Sequence, residues 1–299
     1  MYRAVEFPSQ GATLRGRLYV RPDSSPAPLV IMAHGFSATV TGMVADAFAA
    51  VFHEAGLAVL LYDHRGFGLS DGPRQEINLW IQARGYRDAI DYAARLPEID
   101  ASRIALWGDS ASAGEVIGVA AFDSRVRAIV GQIPACGRVP PPEDSRGALL
   151  EAIRRAFLDG DVETAERTVG PLPVVSSDQR GTPSLLTPLT AFRWFIEFGA
   201  RHGTGWQNWA TIAIPRTEVS WQPVLCAPAV QAAALLLIAP DDEMPGAEPE
   251  MALLAFERLG GSKELVEIDG GHFGLLYHPG PIFDTASSAQ RAFLVRHLM

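Results

Sequence analysis

Apolar and polar positions along the chain change period again and again. Pro28–Ala33 contains no polar residue, as a strand covered on both faces requires. Leu57–Tyr62, Ile104–Trp107, Val126–Gln132, Ala232–Ala239 and Leu265–Ile268 read as further strands. Between them, Met43–Glu54, Leu79–Leu96, Ser112–Phe122, Pro249–Leu259 and Thr285–Leu298 carry apolar residues at helical spacing. The chain opens with two strands, Tyr2–Phe7 and Ala12–Val20, joined around Ser9-Gln10-Gly11 as an antiparallel pair. Strand–helix alternation of this kind predicts the α/β class, with a mostly parallel eight-stranded sheet and helices on both faces.

The stretch 139–228 breaks the rhythm. It begins with a proline run, predicts helices at Gly147–Leu158 and Val162–Val169, and continues through a Gly/Pro/Ser-rich stretch. An aromatic segment follows, with Phe192, Trp194, Phe195, Phe198, Trp206, Trp209 and Trp221. We read it as a helical cap inserted between core segments 1–138 and 229–299. Most of these aromatics are expected to pack the cap on the sheet, and two or three to line an apolar pocket.

Composition narrows the partners. With 299 residues, 48% of them hydrophobic, the chain can bury a large core. A net charge of −9 argues against nucleic acid and anionic membranes as main partners; the small-molecule acyl substrate expected here follows from the chemistry below. No charged start followed by an apolar stretch marks a signal peptide, and no apolar run is long enough to span a bilayer. Cys136 and Cys226 lack metal-ligand spacing and are expected as buried free thiols, which fits the cytoplasm. No metal or cofactor is expected. The oligomeric state is open, a homodimer being one option.

The chemistry concentrates where strands end. Arg103-Ile-Ala-Leu-Trp-Gly-Asp-Ser-Ala-Ser-Ala-Gly reads as strand, sharp turn and helix, with Ser110 at the turn. Gly108, Ala111 and Ser112 are small, as needed where a chain reverses within about two residues around an exposed nucleophile. A plain turn with Ser110 as helix cap is the alternative. A serine hydroxyl needs a base, and His272 lies in the Gly-rich loop Glu267-Ile-Asp-Gly-Gly-His-Phe-Gly after a strand. The base needs a carboxylate, and Leu235-Leu-Leu-Ile-Ala-Pro-Asp-Asp-Glu-Met-Pro ends a strand with three acids. Asp242 is preferred to Asp241, and Glu243 is read as a solvated loop charge. Two backbone donors are expected for an oxyanion, the amides of Ala111 and of Phe36 in Met32-Ala-His-Gly-Phe-Ser. His34, Asp63, His64 and Arg65 are read as structural.

Together, His34-Gly35-Phe36, Tyr62–Gly72, Trp107–Gly114, Leu236–Pro245 and Gly270-Gly271-His272 resemble the α/β-hydrolase superfamily. Gly72-Pro-Arg-Gln-Glu-Ile-Asn-Leu-Trp and Tyr86-Arg-Asp-Ala-Ile look like its dienelactone-hydrolase and polyketide-transferase-like branch. The order Ser110, Asp242, His272 matches the order of that fold's triad. The resemblance implies cofactor-free catalysis through an acyl-enzyme. The leading expectation is hydrolysis of an ester, lactone or thioester. Acyl transfer to a natural-product alcohol or amine, or a catalytically silent binding module, are the alternatives.

Overall fold

The computed structural model describes residues 1–21 and 26–299. In chain order it contains β1 (Tyr2–Ser9), β2 (Ala12–Tyr19), β3 (Ala27–Ala33), α1 (Ala45–Glu54), β4 (Ala58–Tyr62), β5 (Glu76–Ile77), α2 (Leu79–Ala93), β6 (Ile99–Asp109), α3 (Ala111–Phe122) and β7 (Val126–Gln132). There follow α4 (Ala148–Asp159), β8 (Ala165–Leu172), α5 (Leu189–Trp194), β9 (Ala210–Pro215), α6 (Pro223–Cys226), β10 (Ala233–Ile238), α7 (Pro249–Arg258), β11 (Lys263–Glu267) and α8 (Pro281–Leu298). Eight strands form one sheet in the order β1-β2-β4-β3-β6-β7-β10-β11. The β1–β2 and β2–β4 pairs are antiparallel, and the remaining neighbours run parallel. This is the α/β-hydrolase fold.

The unbroken apolar runs have a direct cause. Side chains alternate across a strand, and here both faces are covered. In β3, Leu29 and Ile31 enter one core while Val30 and Met32 enter the other. Leu60, Leu106 and Leu236 join the first, Leu61, Trp107 and Leu237 the second. The first core is closed by α2, α3 and α7 through Ile81, Val116 and Ala255, the second by α1 and α8 through Phe48 and Phe293. Burying each large apolar side chain in this way contributes about 1.5–3 kcal/mol. Helix α3 has no polar face because it is enclosed on all sides, and Ser112 through Ala120 are buried. A Cβ on Gly118 would lie 2.2 Å from the Trp221 ring, so this turn of α3 must be glycine.

The segment between β7 and β10, expected to be helical, carries two strands, β8 and β9. Val162–Val169, expected as a helix, leads into and overlaps strand β8. Strand β8 pairs antiparallel with β9, and β5 completes a separate three-stranded sheet. Thr168 and Val169 are β-branched and suit a ladder, while Gly170-Pro171 prevents a helix from running on. The segment is tied to the sheet layers by polar bonds. Asn78 caps α2 by accepting the N–H of Trp80 and Ile81, and donates to Val162 O at 2.7 Å. The Arg84 guanidinium donates to the carbonyls of Ala156, Phe157 and Gly160, satisfying the C-terminal end of α4. Cys136 and Cys226 are buried and free. Among the described residues no helix is long and apolar enough to cross a membrane.

Candidate active site

Three parallel strands deliver the predicted residues to one edge of the sheet. Strand β6 ends at Asp109, and Ser110 turns the chain with φ 52° and ψ −114°. That is the left-handed side for a non-glycine residue, a strain of roughly 1–3 kcal/mol that surrounding bonds must hold. They do. The Ser110 N–H donates to Gln132 O at 3.0 Å, and Ser110 O accepts from Ala113, Gly114 and Ala135. A Cβ on Gly108 would sit 2.4 Å from the backbone of Ser112, and one on Gly35 2.7 Å from Asp109 O. Both glycines are demanded by close approach.

Ser112, one of the small residues at the turn, has work of its own. Its buried hydroxyl accepts the Asp109 N–H at 2.9 Å and lies 3.1 Å from Ala33 O and 3.0 Å from Asp109 O. It therefore joins the turn at Ser110 to the end of β3. Tyr86 adds a second bolt, accepting the Ala33 N–H at 3.1 Å and donating to Trp107 O at 2.7 Å.

His272 Nε2 lies 3.0 Å from Ser110 Oγ, and His272 Nδ1 lies 2.7 Å from Asp242 Oδ2. A carboxylate only accepts, so Nδ1 carries the proton and Nε2 faces the serine hydroxyl as acceptor. The other Asp242 oxygen accepts the Met244 N–H at 2.9 Å. Both side chains are almost fully buried, 3% and 2% exposed. Asp241, its rival in sequence, is exposed, and among the described residues no hydrogen bond or ion pair joins it to the ring.

Glu243 corrects the reading of a merely solvated charge. It accepts the His272 N–H at 3.0 Å and the hydroxyl of Thr190. A Cβ on Gly271 would come within 2.6 Å of its carboxylate. No local pattern signalled this, because the contact joins two loops 29 residues apart.

Beneath the site lies a buried polar group. His34 Nδ1 donates to Gly35 O at 2.9 Å, and its Nε2 accepts the His64 N–H at 3.3 Å. The ring is therefore neutral, as burial also dictates by lowering its pKa. Asp63 accepts from Val40 and Leu69, holding two loops. Arg65 pairs with Glu163. His64 Nε2 stands 3.4 Å from Glu115, whose carboxyl burial holds well above the usual carboxylate range. Burial likewise pushes Asp109, the residue before Ser110, up to about 6.

A cavity of about 210 Å³ opens over Ser110. Phe36 and Ala111 line it beside the serine. Of the seven aromatics singled out, Trp194 and Phe195 line it, joined by Leu185, Leu186 and Phe273. Trp194 is fixed by donating its indole N–H to Leu276 O at 2.9 Å. One π-helical turn, Phe195–Gly199, follows it. Trp221 instead packs on Trp80 and Phe157 away from the cavity, and Trp209 is exposed. Arg138 also lines the cavity and was not anticipated. The usable signal was its place just after a parallel strand, on the edge where α/β sites form. Among the described residues no cluster of His, Cys, Asp or Glu is arranged to hold a metal ion.

A family model described as serine aminopeptidase, S33, matches residues 24–179. The chain belongs to this α/β-hydrolase family. The thiohydrolase aneE of Aspergillus aculeatus is 32% identical over 98% of this chain and 92% of its own. Polyketide transferase grgF of a Penicillium species is 30% identical over 98% of this chain and 96% of its own. Among solved structures, DcsB complexed with its substrate analogue superimposes with a TM-score of 0.73 and 25% identity, covering 100% of this chain and 99% of that one. Family and relatives support a hydrolase or an acyltransferase.

Proposed function

We propose that the protein is a serine hydrolase that cleaves an ester, lactone or thioester through an acyl-enzyme on Ser110, with a thioester favoured. The observation that carries this is the hydrogen-bonded chain Ser110–His272–Asp242, at 3.0 and 2.7 Å, opening into an apolar cavity. Ser110 Oγ attacks the carbonyl carbon while His272 Nε2 takes its proton. The N–H groups of Phe36 and Ala111 hold the oxyanion, each worth about 3 kcal/mol in the transition state. His272 then returns the proton to the departing alcohol or thiol. Water repeats the sequence and frees the acid. In this reading 139–228 is the cap, and Trp194 and Phe195 shield the acyl group from solvent. The thiohydrolase relative supports the thioester.

Acyl transfer is the second reading, favoured by the polyketide transferase relative and by the apolar walls of the cavity. Only the acceptor changes, from water to an alcohol or amine, and product analysis with an acceptor present separates the two. The primary test is intact mass after incubation with a fluorophosphonate. The native chain is expected to gain one adduct and folded Ser110→Ala none. No adduct on the folded native chain, or an adduct that persists in the variant, overturns the assignment.

A further inference from the structure

One group on the cavity wall has no part in the mechanism above. Arg138 borders the same cavity as Ser110 and is exposed at its rim. Its guanidinium has neither an ion pair nor a hydrogen bond among the described residues. Arg65 is committed to Glu163 and Arg84 to the end of α4; Arg146, Arg167 and Arg180 have no side-chain hydrogen bond or ion pair among the described residues either, but none of them lines the cavity. The backbone leading to Arg138 is nonetheless held. Ala135 N–H donates to Ser110 O at 2.9 Å, and Gly137 N–H to Gly246 O at 2.9 Å. Gly137, with φ 110°, also pairs with Ala247 in the loop after Asp242. The chain is thus stitched to the nucleophile turn on one side and to the acid loop on the other, and then presents an unpaired cation.

The rest of the lining gives that cation nothing to bind. Apart from Asp109, Ser110 and His272, it consists of apolar side chains and glycine. The Asp109 carboxyl is engaged by the Ser112 hydroxyl at 3.3 Å, and His272 by Ser110 and Asp242. The chain carries a net charge of −9, so its surface repels anions in general. A planar fork of five donors matches a carboxylate or phosphate in a bidentate pair. The cavity, about 210 Å³, is also smaller than the roughly 300–1,000 Å³ of drug-sized sites, so part of a larger substrate must extend past the rim where Arg138 stands.

We propose that the substrate carries an anionic oxygen group and that Arg138 pairs with it while the apolar cavity takes the acyl carbons next to Ser110. This rests on the acyl-enzyme reading above. The anion has two sources, a carboxylate on the acyl part or a phosphate on the carrier of a thioester. Two matched pairs distinguish them: p-nitrophenyl hemisuccinate against p-nitrophenyl butyrate, and butyryl-4′-phosphopantetheine against butyryl-pantetheine. The native protein is expected to prefer the anionic member of one pair by about tenfold or more in kcat/KM, the size of one charge-assisted bond. Arg138→Gln should bring that ratio near one, Arg138→Lys should restore part of it, and Arg138→Glu should invert it. The pair that responds identifies the source. No preference in the native protein, or a preference that survives Arg138→Gln, overturns the proposal. Where Ser110 labels with fluorophosphonate but none of the four compounds turns over, the same ratios are read from how strongly each slows labelling. Absence of both labelling and turnover overturns the acyl-enzyme reading itself, and this inference with it.

Discussion

Asp241 and Asp242 differ by one position and have identical chemistry, yet only one reaches the histidine. Strand β10 ends at Ile238, and the Asp242 N–H then donates to Ala239 O at 3.1 Å. That turn carries the Asp242 carboxylate inward and leaves Asp241 outside. Asp242→Asn should therefore lower kcat by about 10³–10⁴-fold, because an amide there no longer selects the Nδ1–H tautomer. Asp241→Asn should turn over at close to the native rate. Steady-state kinetics on both variants check this, and equal losses would remove Asp242 from its role. That Ser110, Asp242 and His272 are candidates that could meet was legible, because each sits on a short motif after an apolar run. Glu243, which grips the His272 N–H, was not, because its contact depends on how two loops meet.

At the scale of elements, the joint between β6 and α3 matters most. Gly108 permits the turn and Ser112 locks it to β3. Ser112→Ala keeps the small size but leaves the buried Asp109 N–H without this acceptor. A loss of about 1–3 kcal/mol in unfolding free energy is expected, measured by urea titration, together with reduced turnover as Ser110 loosens. A stability equal to native would show that the hydroxyl is dispensable. Elements were legible where both faces of the sheet are buried, since an unbroken apolar run then has one meaning. The Val162–Val169 region was misread because a short, half-polar segment suits either helix or strand. Pairing with β9, far along the chain, decided for β8.

On the scale of the whole molecule, the layers enclose His34, Asp63, His64, Asp109 and Glu115 beneath the site. Such a group makes stability depend on pH. Asp109 titrates near 3.8 when unfolded and at about 6 in the fold, raised chiefly by burial. Between those values the folded state holds more proton than the unfolded one, so stability falls as pH rises. The contribution is complete below 3.8 and lost as pH passes through about 6. Asp109→Asn removes this dependence. Its unfolding free energy should gain on the native protein by about 2–3 kcal/mol between roughly pH 4 and pH 7. Urea titrations of both proteins across that range test it, and parallel curves would exclude the Asp109 carboxyl as the cause.

The sequence by itself determined the sheet, the family and the candidate serine, acid and base. Those follow from local patterns: apolar runs, small residues at a reversal, and glycines beside a histidine. Only the tertiary structure decided which aspartate faces His272, that Glu243 and Ser112 hold the loops in place, that Trp194 and Phe195 rather than Trp221 wall the cavity, and that Arg138 stands unpaired at its rim. Each of these depends on contacts between segments distant in the chain. No spacing within one segment encodes them, because the direction of a side chain at a loop is set by what packs against it.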